Sequence, residues 1–263
     1  MDPRQAKAHQ QMVETSVATL ETGEVSAIGV LAELTRLKQF ADCYGTMVEV
    51  ERNVRPADEA RIRRTATRRG RPQPADEELL TAHYEFRPEL PSNKYDYLVQ
   101  FLEQSGFPDD PQGKVIVVSQ FTAVLNLFAA SLAKTGIRSA MLTGEVTGRK
   151  RVEVIDSMNR PVGEGHHLLF LNIKAGGVAI TLDTADDMVL LDETWVPDDR
   201  IQVEDRIHRV SRPRPVRYHH LRSAGSVEEG IALVNAEREG DSSRLLDGRR
   251  GVEAARRILQ VAR

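Results

Sequence analysis

Short runs of apolar residues alternate with helical patterns from Lys94 onward in this 263-residue chain, and this alternation restricts the possible folds most strongly. Three such runs are Val115–Val118, Leu168–Leu171 and Met188–Leu191. A strand that is apolar on both faces is typical of a parallel sheet covered on both sides. Between the first two runs, the apolar spacing from Val124 to Leu132 predicts a covering helix. The sequence therefore predicts an α/β fold with a doubly wound parallel sheet.

Three further segments differ in composition from this α/β region, which we predict to span 93–240. Residues 1–50 carry apolar residues at three- and four-residue spacing, which predicts an N-terminal helical segment. Residues 51–92 are rich in arginine and proline and poor in apolar residues. That composition predicts a flexible linker or, alternatively, a mobile basic arm that contacts DNA phosphates. Residues 241–263 are predicted to form a helical tail.

Composition excludes several classes of function. The single cysteine, Cys43, permits neither an intrachain disulfide nor a cysteine-based metal site. The histidines lack the spacing of metal ligands, so we predict no metal site in this chain. No run approaches the roughly 18 apolar residues of a membrane span, and no signal peptide is recognisable. We therefore expect an intracellular protein, in the cytoplasm or nucleoid or, if viral, in the host cytoplasm.

An arginine-bearing helix is predicted over about 198–210. Gln202, Arg206 and Arg209 stand at i, i+4 and i+7 and therefore share one helix face. Two guanidinium groups on one face repel each other unless an anion lies between them. Asp205 is one candidate for that anion, and a polyphosphate is another, because arginine matches phosphate geometry. A surface helix with Asp–Arg pairs is the simpler alternative.

An apolar stripe lies beside the arginine face of this predicted helix. Val203, Ile207 and Val210 form the stripe, which would dock the helix on the sheet.

Paired glycines follow the Leu168–Leu171 run. Doubly wound folds bind ligands at the carboxyl ends of their strands, where Gly176 and Gly177 are predicted to lie. Glycine allows close backbone approach, and its amide can bind phosphate oxygens. A tight turn would use the same residues, so the glycine pair indicates a ligand site only in combination with the arginine helix.

The order of these elements resembles the second RecA-like lobe of SNF2-family DNA-dependent ATPases. The Leu34–Gln39 segment resembles the element that joins the two lobes of that family. The form Q-x-E-D-R-x-H-R of the arginine helix most resembles the annealing-helicase branch. Six segments carry the resemblance, in the family's order: Lys114–Thr122, Leu142–Asn159, Leu171–Leu182, Asp192–Pro197, Ile201–Arg209 and Val216–Glu229.

Four positions depart from the family pattern. Met158 stands where an aromatic residue is usual, and Ala179 stands where a second glycine is usual. Ile173 replaces a hydroxyl residue, which removes one expected contact with a DNA phosphate. Val210–Arg212 replaces the usual I-G-Q. These departures concern details of activity rather than the fold.

The resemblance implies a role for each matching residue. Arg206 and Arg209 would be the catalytic arginine fingers. Gln202, Asp205 and the glycines Gly176 and Gly177 would contact the nucleotide. The residues that would follow the DNA backbone are Lys174, Ser119, Gln120, Thr143 and Arg151.

The sequence contains no G-x-x-x-x-G-K-[ST] loop to hold phosphates. The resemblance implies that ATP and Mg²⁺ are bound mainly by a first lobe, which this sequence lacks. The chain would then be half of a longer protein or a lobe that needs a partner, and inactive alone. Its partners would be that lobe and double-stranded or branched DNA, bound without sequence preference, with ATP hydrolysis coupled to translocation or remodelling.

Two alternatives stay open at this point. The chain could be a non-enzymatic DNA-binding or regulatory module that retains the lobe fold. It could also be an unrelated α/β nucleotide-binding protein, although such a protein would leave the arginine helix unexplained.

Overall fold

The computed structural model of the chain divides into two compact units. The larger unit comprises Met1–Tyr44 and Pro88–Arg263, and the smaller comprises Gly45–Arg87. The residues described by the structure are 1–21, 27–53, 80–111, 113–161, 164–176, 182, 184–195, 197–207, 215–239 and 258.

The described residues form helices and strands in an order that alternates from the third helix onward. The elements are α1 (Pro3–Glu21), α2 (Ala27–Asp42), β1 (Tyr44–Asn53), β2 (Leu80–Glu89), α3 (Asn93–Gln104), β3 (Val115–Ser119), α4 (Thr122–Ala133), β4 (Ala140–Leu142), α5 (Gly148–Asn159), β5 (Leu168–Asn172), α6 (Ile173–Gly176), β6 (Asp187–Leu190), α7 (Pro197–Ile207), β7 (Arg217–His220) and α8 (Val227–Glu239).

Five strands of the larger unit form one sheet in the order β4-β5-β3-β6-β7. The neighbouring strands are parallel, with Val115 of β3 opposite Leu168 of β5 and Asp187 of β6. From β3 the chain passes to the edge strand β4, and it then runs in the opposite direction through β5, β6 and β7. Because crossovers between parallel strands are right-handed, this reversal places the connecting helices on both faces of the sheet. This arrangement confirms the predicted doubly wound α/β fold.

Burial explains why the strands are apolar throughout. All residues of β3 and β5 are buried, because helices cover the sheet on both sides. The helix α7 docks on one face through Val203 and Ile207, which are 1% and 0% exposed. These two residues belong to the stripe predicted for the arginine helix, and its third member, Val210, lies outside the described residues.

Packing accounts for two of the departures from the family pattern. Met158 is buried in the same core cluster as Leu169 and Leu171, where its flexible thioether side chain fills space. Its carbonyl also accepts a hydrogen bond from Nζ of Lys114 at 2.7 Å. Ile173 is 4% exposed and belongs to this cluster. A buried isoleucine serves the core, in line with the loss of one DNA contact.

The N-terminal helices pack on the last helix of the larger unit. Val13 of α1 and Leu34 and Leu37 of α2 form an apolar cluster with Val227 and Ile231 of α8. Ser226 caps α8, since its Oγ accepts a hydrogen bond from the backbone nitrogen of Glu228 at 3.2 Å. A helical N-terminal segment is therefore confirmed as far as Asp42.

Beyond Asp42 the secondary structure differs from the prediction. Residues predicted as the end of the helical segment form β1, and part of the predicted linker forms β2. The two strands pair with each other in a separate two-stranded sheet. Gly45 permits this pairing, because a Cβ there would lie 2.5 Å from the carbonyl oxygen of Arg87. The helix prediction is thus wrong from Tyr44, and the linker prediction is wrong for Leu80–Glu89.

Several predicted segments lie outside the described residues. They include most of the arginine-rich stretch, residues 54–79, and the tail apart from Ile258. Ile258 packs close to α8: a Cβ at Gly230 would lie 2.7 Å from its Cα. Across the described ranges, no helix has the length and apolar character needed to cross a membrane. The domain boundaries stay predictions.

Buried His9 gives the fold a pH dependence. Its side chain is 1% exposed, and its Nε2 accepts a hydrogen bond from the Val227 nitrogen at 3.4 Å. Burial lowers the pKa of His9 from 6.5 to about 4. The unfolded chain therefore binds a proton more readily between these values, so the stabilisation is complete above pH 6.5 and is lost as pH falls toward 4.

We expect His9→Gln to reduce this pH dependence, because glutamine can accept the same hydrogen bond and does not titrate. In the wild type, the titration of His9 should lower the free energy of unfolding by about 2 kcal/mol between pH 7 and pH 5. Urea titrations at the two pH values measure the difference. Lys7→Gln, at an exposed position of the same helix, should keep the wild-type dependence. An equal pH dependence in His9→Gln would contradict this account.

Candidate functional site

The carboxylate of Asp192 collects hydrogen bonds at the carboxyl edge of the sheet. Ser119 Oγ donates to its Oδ2 at 2.5 Å, and Gln120 donates from its backbone nitrogen at 3.1 Å. The Gln120 side chain adds a bond from Nε2 to Oδ1 at 2.9 Å. Because these donors end β3 and the acceptor follows β6, the carboxylate fixes the relative position of two adjacent strand ends.

Asn172 performs a similar role at the end of β5. Its Nδ2 donates to the carbonyl of Gln120 and to Oγ1 of Thr122, both at 3.0 Å. Its Oδ1 accepts a hydrogen bond from the backbone nitrogen of Lys174 at 3.1 Å. The short helix α6 therefore starts at a defined place beside β3.

The loop from Asp192 to Trp195 leads from the sheet into α7. Glu193 is 6% exposed and accepts a hydrogen bond from Arg222 Nε at 2.5 Å. Asn235 of α8 donates to the carbonyl of Thr194 at 2.7 Å. Each residue from 192 to 194 is therefore hydrogen-bonded to a distant part of the chain, which fixes the position of the loop.

The helix α7 has a buried face and an exposed face. Pro197 and the acidic residues Asp198 and Asp199 open it, as the helix dipole favours. Gln202 and Asp205 lie on the exposed side. Arg206 follows Gln202 by one turn of this helix, and its side chain lies outside the described residues. Arg209 and Gly177 also lie outside them, while Gly176 ends α6.

The five predicted DNA-binding residues differ in exposure. Lys174 is exposed on α6, and Gln120 and Arg151 are half-buried. Arg151 Nη2 donates to the carbonyl of Ala175 at 2.8 Å, which ties α5 to α6. Ser119 and Thr143 are 1% and 4% exposed. Their hydroxyls are engaged inside the protein, where Thr143 Oγ1 accepts from the Glu145 nitrogen at 3.4 Å.

The acidic pair Asp192–Glu193 does not suit a magnesium ion. Both carboxylates are 6% exposed and are engaged by Ser119, Gln120 and Arg222. Within the described ranges, no group of three His, Cys, Asp or Glu side chains is arranged to hold a metal ion.

A buried ion cluster that the sequence analysis did not identify supports the same loop. Lys94 of α3 bonds to Asp42 at 2.8 Å, to Glu228 at 2.6 Å and to the carbonyl of Leu191. Burial by itself lowers the pKa of Lys94, but the two carboxylates outweigh burial and raise it above its ordinary value. The lysine therefore stays charged and holds α2, α8 and the residue before Asp192 together.

Comparison with known proteins defines the class of this site. Residues 93–211 match the model of the helicase conserved C-terminal domain. DNA repair protein RAD5 of Cryptococcus neoformans is 35% identical over 153 residues, which is 55% of this chain and 13% of that protein. The SWI/SNF-related regulator of chromatin subfamily A member 1 of Mus musculus is 33% identical over 118 residues, 45% of this chain and 11% of that protein. The chain thus spans a small part of these relatives.

Two solved structures from Sulfolobus solfataricus share the fold. The SWI2/SNF2 ATPase C-terminal domain aligns with a TM-score of 0.62 at 19% identity, covering 98% of this chain and 93% of that one. The SWI2/SNF2 ATPase core in complex with dsDNA aligns with a TM-score of 0.60 at 21% identity, covering 91% and 42%. The chain therefore carries a helicase C-terminal domain. The relatives named above are SNF2-family ATPases, and the fold of the chain matches the C-terminal RecA-like lobe of such ATPases.

Replacement of Lys94 by methionine should destabilise the protein strongly, because it leaves Asp42 and Glu228 buried without their cation. We expect a loss of about 3–5 kcal/mol in the free energy of unfolding, measured by urea titration. Lys134→Met, at an exposed position, should change it by less than about 0.5 kcal/mol.

Adding Asp42→Asn and Glu228→Gln to Lys94→Met should recover part of the loss, since neutral amides replace the unpaired carboxylates. A wild-type stability for Lys94→Met alone would show that the cluster does not hold the loop.

Proposed function

We propose that this chain is the second motor lobe of a DNA-dependent ATPase that couples ATP hydrolysis to movement along, or remodelling of, double-stranded DNA. The observation that carries the proposal is the loop Asp192–Trp195, which is bonded on three sides and leads into α7 with Gln202 exposed. The similarity of the chain to SNF2-family ATPases supports an ATPase as the setting for this helix.

Arg206 and Arg209 are proposed as the catalytic arginines. On a continued helix they would share a face with Gln202, one and two turns beyond it, and this face lies beside the one that buries Val203 and Ile207. Charge develops on the γ-phosphate oxygens during phosphoryl transfer, and arginine fingers accelerate such reactions by about 10³- to 10⁵-fold. Gln202 and Asp205 would contact the nucleotide beside them.

ATP and Mg²⁺ supply the reacting phosphoryl group and the charge that neutralises its neighbours, and we propose that a first lobe holds both. In this chain Asp192 and Glu193 are occupied by internal donors. The role proposed for these carboxylates is structural: they orient the loop that carries α7. The glycines Gly176 and Gly177 would line the cleft opposite that first lobe.

The DNA contact is proposed for the surface around Lys174. Its exposed ammonium group and the half-buried Gln120 and Arg151 are suited to phosphate oxygens. Ser119 and Thr143 would support this surface from inside, because their hydroxyls are buried. Contacts of this kind carry no base information, so binding would be independent of sequence. The dsDNA named for one neighbouring structure supports this choice of partner; preference for branched DNA stays a prediction.

Arg206→Ala and Arg209→Ala should each lower the turnover number for ATP by about 10³-fold or more in an assembly of this chain with a first lobe. Binding of double-stranded DNA should be unchanged, because the arginines face the nucleotide. Arg149→Ala is the matched control, since Arg149 is exposed on α5 and paired only with Glu153 among the described residues. Full activity in both arginine variants would overturn their catalytic role.

Lys174→Ala should weaken DNA binding equally for different sequences. It should also reduce the slope of the logarithm of the binding constant against the logarithm of salt concentration by about 1. Fluorescence anisotropy with labelled duplexes over a range of salt concentrations measures both effects. Lys134→Ala, at an exposed lysine that follows α4, should bind like the wild type. If Lys174→Ala also retains the wild-type affinity and salt slope, the DNA surface lies elsewhere.

A further inference from the structure

Lys38 of α2 is a fully buried cation with an unusual environment. Its side chain is 0% exposed, and Nζ lies 3.6 Å from Oδ1 of Asp192. The same nitrogen lies 5.5 Å from the ring centroid of Phe121 and 5.2 Å from that of Trp195. No atom of the described residues accepts a hydrogen bond from it. Charge attraction and two ring faces must therefore offset the cost of burying this ammonium group.

The three groups around Lys38 lie at the carboxyl edge of the sheet. Phe121 follows β3 and caps α4, while Asp192 and Trp195 bound the loop that leads into α7. Lys38 itself lies in Leu34–Gln39, the segment that resembles the joint between the lobes. One side chain thus links that segment to both ends of the loop.

We propose that Lys38 is a positioning residue that passes movements of α2 to the loop Asp192–Trp195 and so to α7. Its nitrogen contacts the carboxylate and the rings without a directional hydrogen bond, so a small shift of α2 changes its distances to all three groups. The loop follows, because the attraction of an ammonium group for a carboxylate and for ring faces depends on distance. The effect of Lys38 on catalysis rests on the proposed function, whereas the contact of Lys38 with the carboxylate and the rings does not.

Lysine is suited to this position for two reasons. Its straight chain reaches the loop from α2 through the apolar cluster, and its ammonium group attracts the carboxylate and the rings together. Methionine at this position would fill similar space without the charge, whereas arginine would keep the charge and stack on aromatic rings. These two substitutions therefore separate a positioning role from simple filling of the core.

The fluorescence of Trp195 reports the contact directly, because it is the only tryptophan of the chain. Lys38→Met should shift its emission to the red and increase its quenching by acrylamide, while Lys38→Arg should restore wild-type values. Lys7→Met, at an exposed position of α1, is the control and should match the wild type. Wild-type emission and quenching in Lys38→Met, or an equal change in Lys38→Arg, would overturn the proposal.

A second variant keeps the test decisive if Lys38→Met does not fold. Asp192→Asn retains the lysine and the size of its partner but removes the attraction between them. The proposal expects the same red shift and increased quenching of Trp195, and wild-type fluorescence in this variant would overturn it.

The consequence for catalysis is measured in an assembly with a first lobe. Lys38→Met should lower kcat for ATP by roughly tenfold or more and leave KM for ATP unchanged, because misplaced catalytic groups act on the chemical step. An unchanged kcat would overturn the transmission from α2 to α7. Absence of ATP hydrolysis in the wild-type assembly would instead refute the proposed function, while the fluorescence of Trp195 would still decide on the Lys38 contact.

Discussion

The arrangement of side chains at the carboxyl edge of the sheet depends on one group, the buried carboxylate of Asp192. It accepts hydrogen bonds from Ser119 and Gln120, and its buried ion-pair partner is Lys38. The end of β3, the helix α2 and the loop that carries Asp192 are distant in sequence, and this one carboxylate holds them together. Because the carboxylate is buried, each of these interactions is stronger than it would be in water, and loss of one leaves a costly unpaired group. These interactions fix the position of the loop that leads into α7.

Buried lysines extend the same principle through the larger unit. Lys38, Lys94 and Lys114 are among its largest fully buried side chains. Lys94 joins α2, α3 and α8 through carboxylates, and Lys114 donates to the carbonyl of Met158 at the end of α5. A core held partly by directional polar contacts resists sliding of its helices more than an apolar core does. Such stiffness suits the role proposed for α7, whose arginines would meet a nucleotide held by a first lobe.

The sequence predicted the features that depend on local pattern. The apolar runs identified the parallel sheet, and the spacing of Val203 and Ile207 identified the buried face of α7. It failed where structure depends on distant partners: β1 was missed because it pairs with β2, and Gly45 is explained only by the approach of Arg87. The Lys94 cluster joins residues 52 and 134 positions apart, a separation that no local pattern reports. Burial of Ser119 and Thr143 was likewise invisible to motif matching.

We propose that this lobe completes an active site that it does not itself contain. The most direct test of this proposal is the rate of ATP hydrolysis with and without double-stranded DNA, for this chain alone and for its assembly with a first lobe. The account predicts no turnover by the chain alone and DNA-stimulated turnover by the assembly. Rapid hydrolysis by the chain alone would contradict it, because a phosphate-binding site would then exist outside every motif identified in the sequence. An inactive assembly that still binds DNA would favour the non-enzymatic module.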